Sequence, residues 1–258
     1  MNQKDLIYGG KAKNIYSTDK NNEVIIEFRD DMTAGDGERK EVMKQKGCYN
    51  SVISSKIFKV LEESGIKTQF IDLLKPNVMQ AKKLDMIPIE VIVRNIATGS
   101  LIRTYPFKDG TRLEPPIIQM DYKDDEFHDP MLNDSIIKAL NLITQEEIDE
   151  LRSQALKIND ILKEFFKKAG IILVDFKIEF GKDNEGNIVL GDEISPDSCR
   201  LWDSETLDML DKELFRKGKD DQVMEAYIEV YNRIINDSEK IKFNLWLKWY
   251  LILKLKFP

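Results

Sequence analysis

Apolar positions fall into two rhythms along this chain, and the rhythm changes with position. Up to about Asn95 short β-favouring runs prevail, at 24–28, 78–81 and 87–95. In the last run Ile89, Val91 and Val93 share one face while Glu90, Ile92 and Arg94 share the other, as period-two alternation requires. One helix interrupts the strands. Ile53, Ile57, Val60 and Leu61 recur at helical spacing, which predicts a helix over 50–64 with Gly65 as its stop.

Further along, 106–130 is rich in Pro, Gly and Asp and reads as a long functional loop. A clear helix follows. Thr144 and Glu147 form a capping-box pattern, and Ile148, Leu151, Ala155, Ile158, Leu162 and Phe165 recur at steps of three and four until Gly170. A hairpin is predicted next: a strand at 171–180, a turn through Asp183-Asn184-Glu185-Gly186, and a return at 188–194. Two more helices are expected over 204–216 and 221–235. There is no internal repeat or low-complexity linker, so the two halves should pack together. The fold class is α+β.

Composition narrows the chemistry. With 39 Lys and Arg against 46 Asp and Glu the net charge is −7, which argues against a nucleic-acid binder because that needs a basic face to replace phosphate counterions. His128 is the single histidine, so no site with two or three histidine ligands exists and most catalytic zinc chemistries drop out. Cys48 and Cys199 lack CxxC spacing and read as reduced cytosolic thiols. The opening Met-Asn-Gln-Lys-Asp leads straight into a strand-like run, and the expectation is a soluble cytoplasmic chain.

Candidate chemistry gathers on the strand from Val174 to Phe180. Alternation puts Asp175, Lys177 and Glu179 on one face and Val174, Phe176, Ile178 and Phe180 on the other. The returning strand ends in Gly191-Asp192-Glu193, so the hairpin can bring Asp192 near Glu179. Two such carboxylates suit Mg²⁺ with nucleotide phosphates, but a solvated amphipathic hairpin has the same pattern. The loop from Ser195 can aim Arg200 back over this hairpin. Arg94, followed by Thr98-Gly99-Ser100, makes a candidate phosphate cradle of guanidinium, hydroxyl and backbone N–H groups. Tyr8-Gly9-Gly10-Lys11-Ala12-Lys13 offers glycines and lysines to phosphates without Walker A spacing; an ordinary hairpin reads the same way. Thr33-Ala34-Gly35-Asp36-Gly37 is a second Gly-rich loop. His128 reads as an incidental loop residue, and nothing marks Cys199 as an activated nucleophile.

Taken together, these segments resemble one family. The runs 87–100 and 172–181, the opening GGKAKNIY, the AGDG loop, AKKLDM at 81–86, HDPMLN at 128–133 and GDEISPDSCRLWD at 191–203 are similar in order and spacing to SAICAR synthetase. The resemblance runs from about Leu6 to about Ile234. It implies a two-lobed α+β fold of mainly antiparallel sheets with flanking helices and an ATP cleft between lobes. The expected division is 1–86 as a nucleotide-covering lobe, 87–241 as a lobe with Mg²⁺ and substrate sites, and 242–258 as an apolar tail outside the family core. The implied reaction is ATP-dependent ligation of L-aspartate to the carboxylate of an aminoimidazole carboxylate ribotide in purine biosynthesis. ATP and Mg²⁺ are the implied cofactors, and a homodimer without nucleic-acid or membrane partners is the implied assembly.

The resemblance also implies site residues. Lys11 and Lys13 contact ATP phosphates, while Lys82, Leu84 and Met86 lie where adenine rests. Glu179 and Asp192 carry over as Mg²⁺ ligands, and Arg94, Ser100 and Arg200 as binders of the ribose 5′-phosphate. Lys177 and Asp175 are the candidate catalytic residues, and Asp36, Lys123 and Asp129 sit in candidate substrate loops. Two features depart from the family pattern. Lys217-Gly218-Lys219-Asp220 stands where the family usually reads Arg-Asp-Leu-Gly, and the chain continues into an apolar tail, strand-like from Leu251 to Phe257. Two rivals stand beside this reading. Another ATP-dependent ligase or small-molecule kinase on the same lobes would keep Lys11, Lys13, Glu179 and Asp192 but not need Arg94, Ser100 and Arg200. A non-catalytic nucleotide sensor or membrane-associated adaptor would act through the tail, and the intact metal-type carboxylates speak against it.

Overall fold

The computed structural model describes residues 3–35 and 37–256, with side chains through 252. Strands β1 (Leu6–Gly9), β2 (Lys13–Ser17) and β3 (Glu23–Phe28) run antiparallel in succession. A separate two-stranded hairpin, β4 (Asp31–Ala34) with β5 (Arg39–Val42), precedes helix α1 (Lys46–Glu63). Strands β6 (Phe70–Lys75) and β7 (Val78–Lys82) then complete a five-stranded sheet in the order β1-β2-β3-β7-β6.

The second sheet is built on long strands: β8 (Asp85–Ile96), β9 (Arg112–Tyr122) after the short helix α2 (Ser100–Thr104), and the edge piece β10 (Met131–Leu132). After α3 (Asp134–Ala139) and α4 (Gln145–Lys168) come β11 (Ile171–Lys182), β12 (Ile188–Leu190) and β13 (Cys199–Asp203). The order is β10-β9-β8-β11-β12, with β13 on the first half of β11. Helices α5 (Glu213–Arg216), α6 (Asp220–Ile234) and α7 (Asp237–Lys256) close the chain. One contiguous apolar core joins the two sheets, from Val24 and Met79 through Phe58 to Val91, Phe176 and Phe180. The 86/87 division proposed from sequence falls inside β8, and the 241/242 division inside α7.

Local chemistry explains most elements. The capping box of α4 is formed in both directions: Glu147 N donates to Thr144 Oγ1 (3.3 Å) and Thr144 N to Glu147 Oε2 (2.9 Å). Its buried face ends on Phe166 rather than the expected Phe165. Helix α1 begins four residues earlier than its apolar spacing suggests and is buried along most of its length, covered by the first sheet and by α6.

Three sequence expectations are corrected. The loop read over 106–130 contains the eleven-residue β9. Pro115 and Pro116, which argue against a strand, fall in the register break between Ile117, opposite Arg94, and Arg112, opposite Ile96, where no ladder bond is lost. The helix expected over 204–216 is reduced to α5. Asp203 Oδ1 takes the N–H groups of Glu205 and Thr206 (both 2.8 Å), and Leu207 sits at φ 63°. Such side-chain-to-backbone bonds compete with a helical ladder. The strand-like tail is helical to Lys256, because Phe243 and Leu247 dock inward, with the Phe243 ring 5.1 Å from Tyr231 and 5.8 Å from Tyr49. Phe257 lies outside the described residues.

Candidate active site

Strand β11 runs through the centre of the second sheet, flanked by β8 on one side and by β13 and β12 on the other. The two carboxylates on its polar face are buried rather than solvated. Asp175 is 5% exposed and Glu179 2%. That burial decides between the two readings of the alternation, since carboxylates are not left in a core without cations or a function.

At one end Glu179 lies directly across the ladder from Glu90, and the chain after β12 brings Asp192 alongside. Gly191 N donates to Glu179 O (2.9 Å), and Gln69 Nε2 donates to Asp192 O (2.7 Å). Asp192 itself sits at φ 54°. Three lysines surround the carboxylates. Lys13 from β2 pairs with Asp192 and lies 3.1 Å from Glu193; Lys123, just after β9, pairs with Glu179; Lys177 pairs with Glu90 and lies 3.9 Å from Glu179.

The electrostatics separate the two candidate metal ligands. Burial, then the neighbouring Asp192 charge, pushes the Glu179 carboxyl up to about 7 against the pull of Lys123 and Lys177. Burial also opposes charge on Asp192, but the Lys13 ammonium and then Lys123 outweigh it and hold that carboxyl low, at about 2. Lys13 is displaced upward: burial works against its charge, and Asp192 and Glu193 overcome it. A buried carboxylate and a half-buried one that repel each other fit a divalent cation, and Mg²⁺ commonly takes one or two carboxylates beside phosphates and water.

At the other end of the same strand face, Asp175 Oδ2 accepts from Arg94 Nη1 (3.2 Å) and Arg200 Nη1 (2.7 Å). Arg94 Nη2 also donates to Ser100 Oγ (3.1 Å) and Gln119 Oε1 (3.1 Å). Gly99 sits at φ 60°, a backbone conformation that favours glycine, and a Cβ there would stand 2.4 Å from Arg200 Nη2. Arg94 and Arg200, separated by 106 positions in sequence, thus converge on Asp175, and Ser100 joins them through Arg94.

The remaining candidates lie around these two centres. Lys11, in the β1–β2 turn, reaches Asp125 (2.8 Å) in the loop after β9. Leu84 and Met86 pack against Gly181 and Gly191, where added Cβ atoms would stand 2.8 Å from Leu84 and 3.1 Å from Met86. The Lys82 ammonium instead donates to Thr68 O (3.0 Å). Asp129 Oδ1 accepts from Asp124 N (2.9 Å), which folds its loop back on itself. Asp36 lies outside the described residues. Cys199 is buried, and burial pushes its thiol well above the usual range, so it is no nucleophile.

Sequence reading missed Glu90, Gln119 and Glu193 as partners in the site. Alternation already placed Glu90 on the face of Arg94; what it could not supply was the register that sets Glu90 opposite Glu179.

A family model described as SAICAR synthetase matches residues 6–234. A phosphoribosylaminoimidazole-succinocarboxamide synthase of Methanobrevibacter smithii is 76% identical over 242 residues, 94% of this chain and 100% of that protein. One of the same name from Methanothermobacter thermautotrophicus is 54% identical over 93% of this chain and 97% of its own length. Among solved structures, a SAICAR synthetase (Type-2) in complex with ADP is similar at TM-score 0.85 and 51% identity, over 88% of this chain and 96% of that one. The phosphoribosylaminoimidazole-succinocarboxamide synthase of Ehrlichia chaffeensis is similar at TM-score 0.87 and 42% identity, over 90% and 100%.

Proposed function

The chain belongs to the SAICAR synthetase family, and from that premise we propose how its residues divide the work of the family reaction. The activity is ATP-dependent ligation of L-aspartate to the carboxylate of 5-amino-1-(5-phosphoribosyl)imidazole-4-carboxylate, giving SAICAR, ADP and phosphate in purine biosynthesis. One observation carries the division: a single strand face bears an arginine-binding aspartate at one end and a metal-type carboxylate at the other, with Lys177 between them.

Arg94, Ser100 and Arg200 bind the ribose 5′-phosphate, and Asp175 acts by holding both guanidinium groups toward it rather than by touching the reacting atoms. Glu179 and Asp192 hold Mg²⁺, which when bound neutralises charge on the transferred phosphoryl group. Lys11 and Lys13 turn from Asp125 and Asp192 to the nucleotide phosphates. The backbone from Lys82 to Met86, with Leu84 and Met86 as its apolar side, receives adenine. Lys177 stands by the reacting carboxylate, and the loops of Asp36, Lys123 and Asp129 border the substrates. The cleft then lies between lobes 1–86 and 87–241. A cytoplasmic homodimer goes with this reading; no helix among the described residues is long and apolar enough to cross a membrane.

The reaction proceeds in two steps on this reading. A carboxylate oxygen of the ribotide attacks the γ-phosphorus, and the bond to the ADP oxygen breaks, which leaves an acyl phosphate. The aspartate amine then attacks the acyl carbon, the carbon–oxygen bond breaks, phosphate departs, and the nitrogen loses a proton. Carboxylates are poor electrophiles, and phosphorylation supplies the leaving group. The protein's part is positioning and charge neutralisation, which needs no histidine. Measuring ADP release with each substrate omitted in turn tests the scheme. Release should require ribotide, and SAICAR should form only when aspartate is added. Aspartate-independent release at the full rate, without SAICAR, would instead indicate a kinase.

A further inference from the structure

The β4–β5 hairpin belongs to neither large sheet. Its base is fixed to the start of α1, where Asp30 accepts from Gln45 N (3.1 Å) and Gly47 N (3.0 Å) and its carbonyl from Met43 N (2.8 Å). Near its tip, a Cβ at Gly37 would lie 4.0 Å from Lys11 Cε. Met32 packs into the main core from β4, and from β5 Arg39 crosses to an element 176 positions away in sequence.

Arg39 makes three contacts there. Nη1 donates to Phe215 O (2.5 Å), Nη2 pairs with Asp220, and the guanidinium lies over the buried Phe215 ring at 4.2 Å. Fork and stacking together are geometry that arginine supplies and lysine does not. The other carboxylate oxygen of Asp220 is buried without a partner among the described residues, so this carboxylate depends on Arg39. Asp220 stands in the segment that departs from the family pattern, and here it opens α6.

Phe215 sits in α5, a single turn of four residues. Two positions earlier, Glu213 accepts from Arg200 Nε (3.4 Å) and Arg216 Nη1 (3.1 Å). Arg39 thus fixes the C-terminal end of the turn whose start orients Arg200. We propose that Arg39 is a positioning residue for ribotide binding: clamped on Phe215 and Asp220, it holds α5 so that Glu213 keeps Arg200 aimed at the substrate phosphate. This rests on the role given to Arg200 above.

The test is steady-state kinetics of full-length Arg39→Gln, Arg39→Lys and Asp220→Asn, with hydrogen exchange on the same proteins. Arg39→Gln should raise KM for the ribotide about tenfold, with kcat and KM for ATP within about twofold of wild type. Arg39→Lys should fail to restore it, since one ammonium cannot serve the carbonyl, the carboxylate and the ring together. Asp220→Asn should move ribotide KM in the same direction by about threefold, and it decides the matter if Arg39→Gln does not fold. Amides of β4 and β5, 31–34 and 39–42, should lose protection in Arg39→Gln. An unchanged ribotide KM, or equal rises for ribotide and ATP, overturns the proposal. Absence of aspartate-dependent ligation in wild type would overturn the assigned reaction instead, while hydrogen exchange would still report on the clamp.

Discussion

Glu90 and Glu179 stand directly opposite one another in the β8–β11 ladder, and both are buried. Like charges in that relation destabilise a sheet. The pair persists because Lys177 answers Glu90 and Lys123 answers Glu179, so a concentration of charge is held where a protein built only for stability would place apolar residues.

Replacing Glu179 by Gln removes one of the repelling charges and its desolvation cost while keeping the shape. Melting temperature should hold or rise, because the Lys123 left behind is substantially exposed and needs no buried partner. Turnover should fall at least about 100-fold, the scale of losing a charge-stabilising group at a reacting centre. Thermal melts and ADP release on the same preparation check both halves. Near-normal turnover would sink the metal role.

Gly99→Ala sets a side chain at φ 60° and drives a Cβ into the Arg200 guanidinium. Backbone strain should cost about 1 kcal/mol. Arg200 is held by Asp175 and Glu213, so it must leave one of them, and KM for the ribotide should rise about tenfold while KM for ATP stays put. A rise confined to ATP would contradict the phosphate role of this corner.

The acid limb of stability should depend on Asp203. Its carboxyl is held well below the usual range by the backbone N–H groups of Thr206 and Glu205, and then by Arg233 at 2.7 Å. The unfolded chain then binds the extra proton below about pH 4. Stability from this group is thus complete above that pH and is lost as pH falls toward the folded value. Urea midpoints of wild type and Asp203→Asn should differ more at pH 6 than at pH 3. An equal gap at both would refute the assignment.

What could be read from sequence was what neighbours along the chain decide. The capping box at Thr144 and Glu147, the stop at Gly170 and the alternation through Asp175, Lys177 and Glu179 all depend on local rules, and each is formed as read. Strand β9 was hidden by Pro115 and Pro116, whose cost vanishes only because of a register break in a partner strand. The turn after Asp203 was hidden because helical apolar spacing there lost to side-chain capture of backbone N–H groups. Asp175 was visible as a polar residue on a strand, but its two arginines come from 81 positions before and 25 after. Distance along the chain likewise conceals the Arg39 clamp.

The regular stretch of β11 between Asp175 and Glu179 also acts as a ruler. A strand advances about 3.3 Å per residue, so the four steps fix a span of about 13 Å between the backbone positions of Asp175, which binds two arginines, and Glu179, which pairs with Lys123. That span belongs to the backbone repeat and to no side chain. Point substitutions can weaken either end, but they cannot bring the ends closer. On the proposed assignment, discrimination against ligands too short to engage both ends would be inherited from the pitch of the sheet, and it should outlast drift in the residues around it.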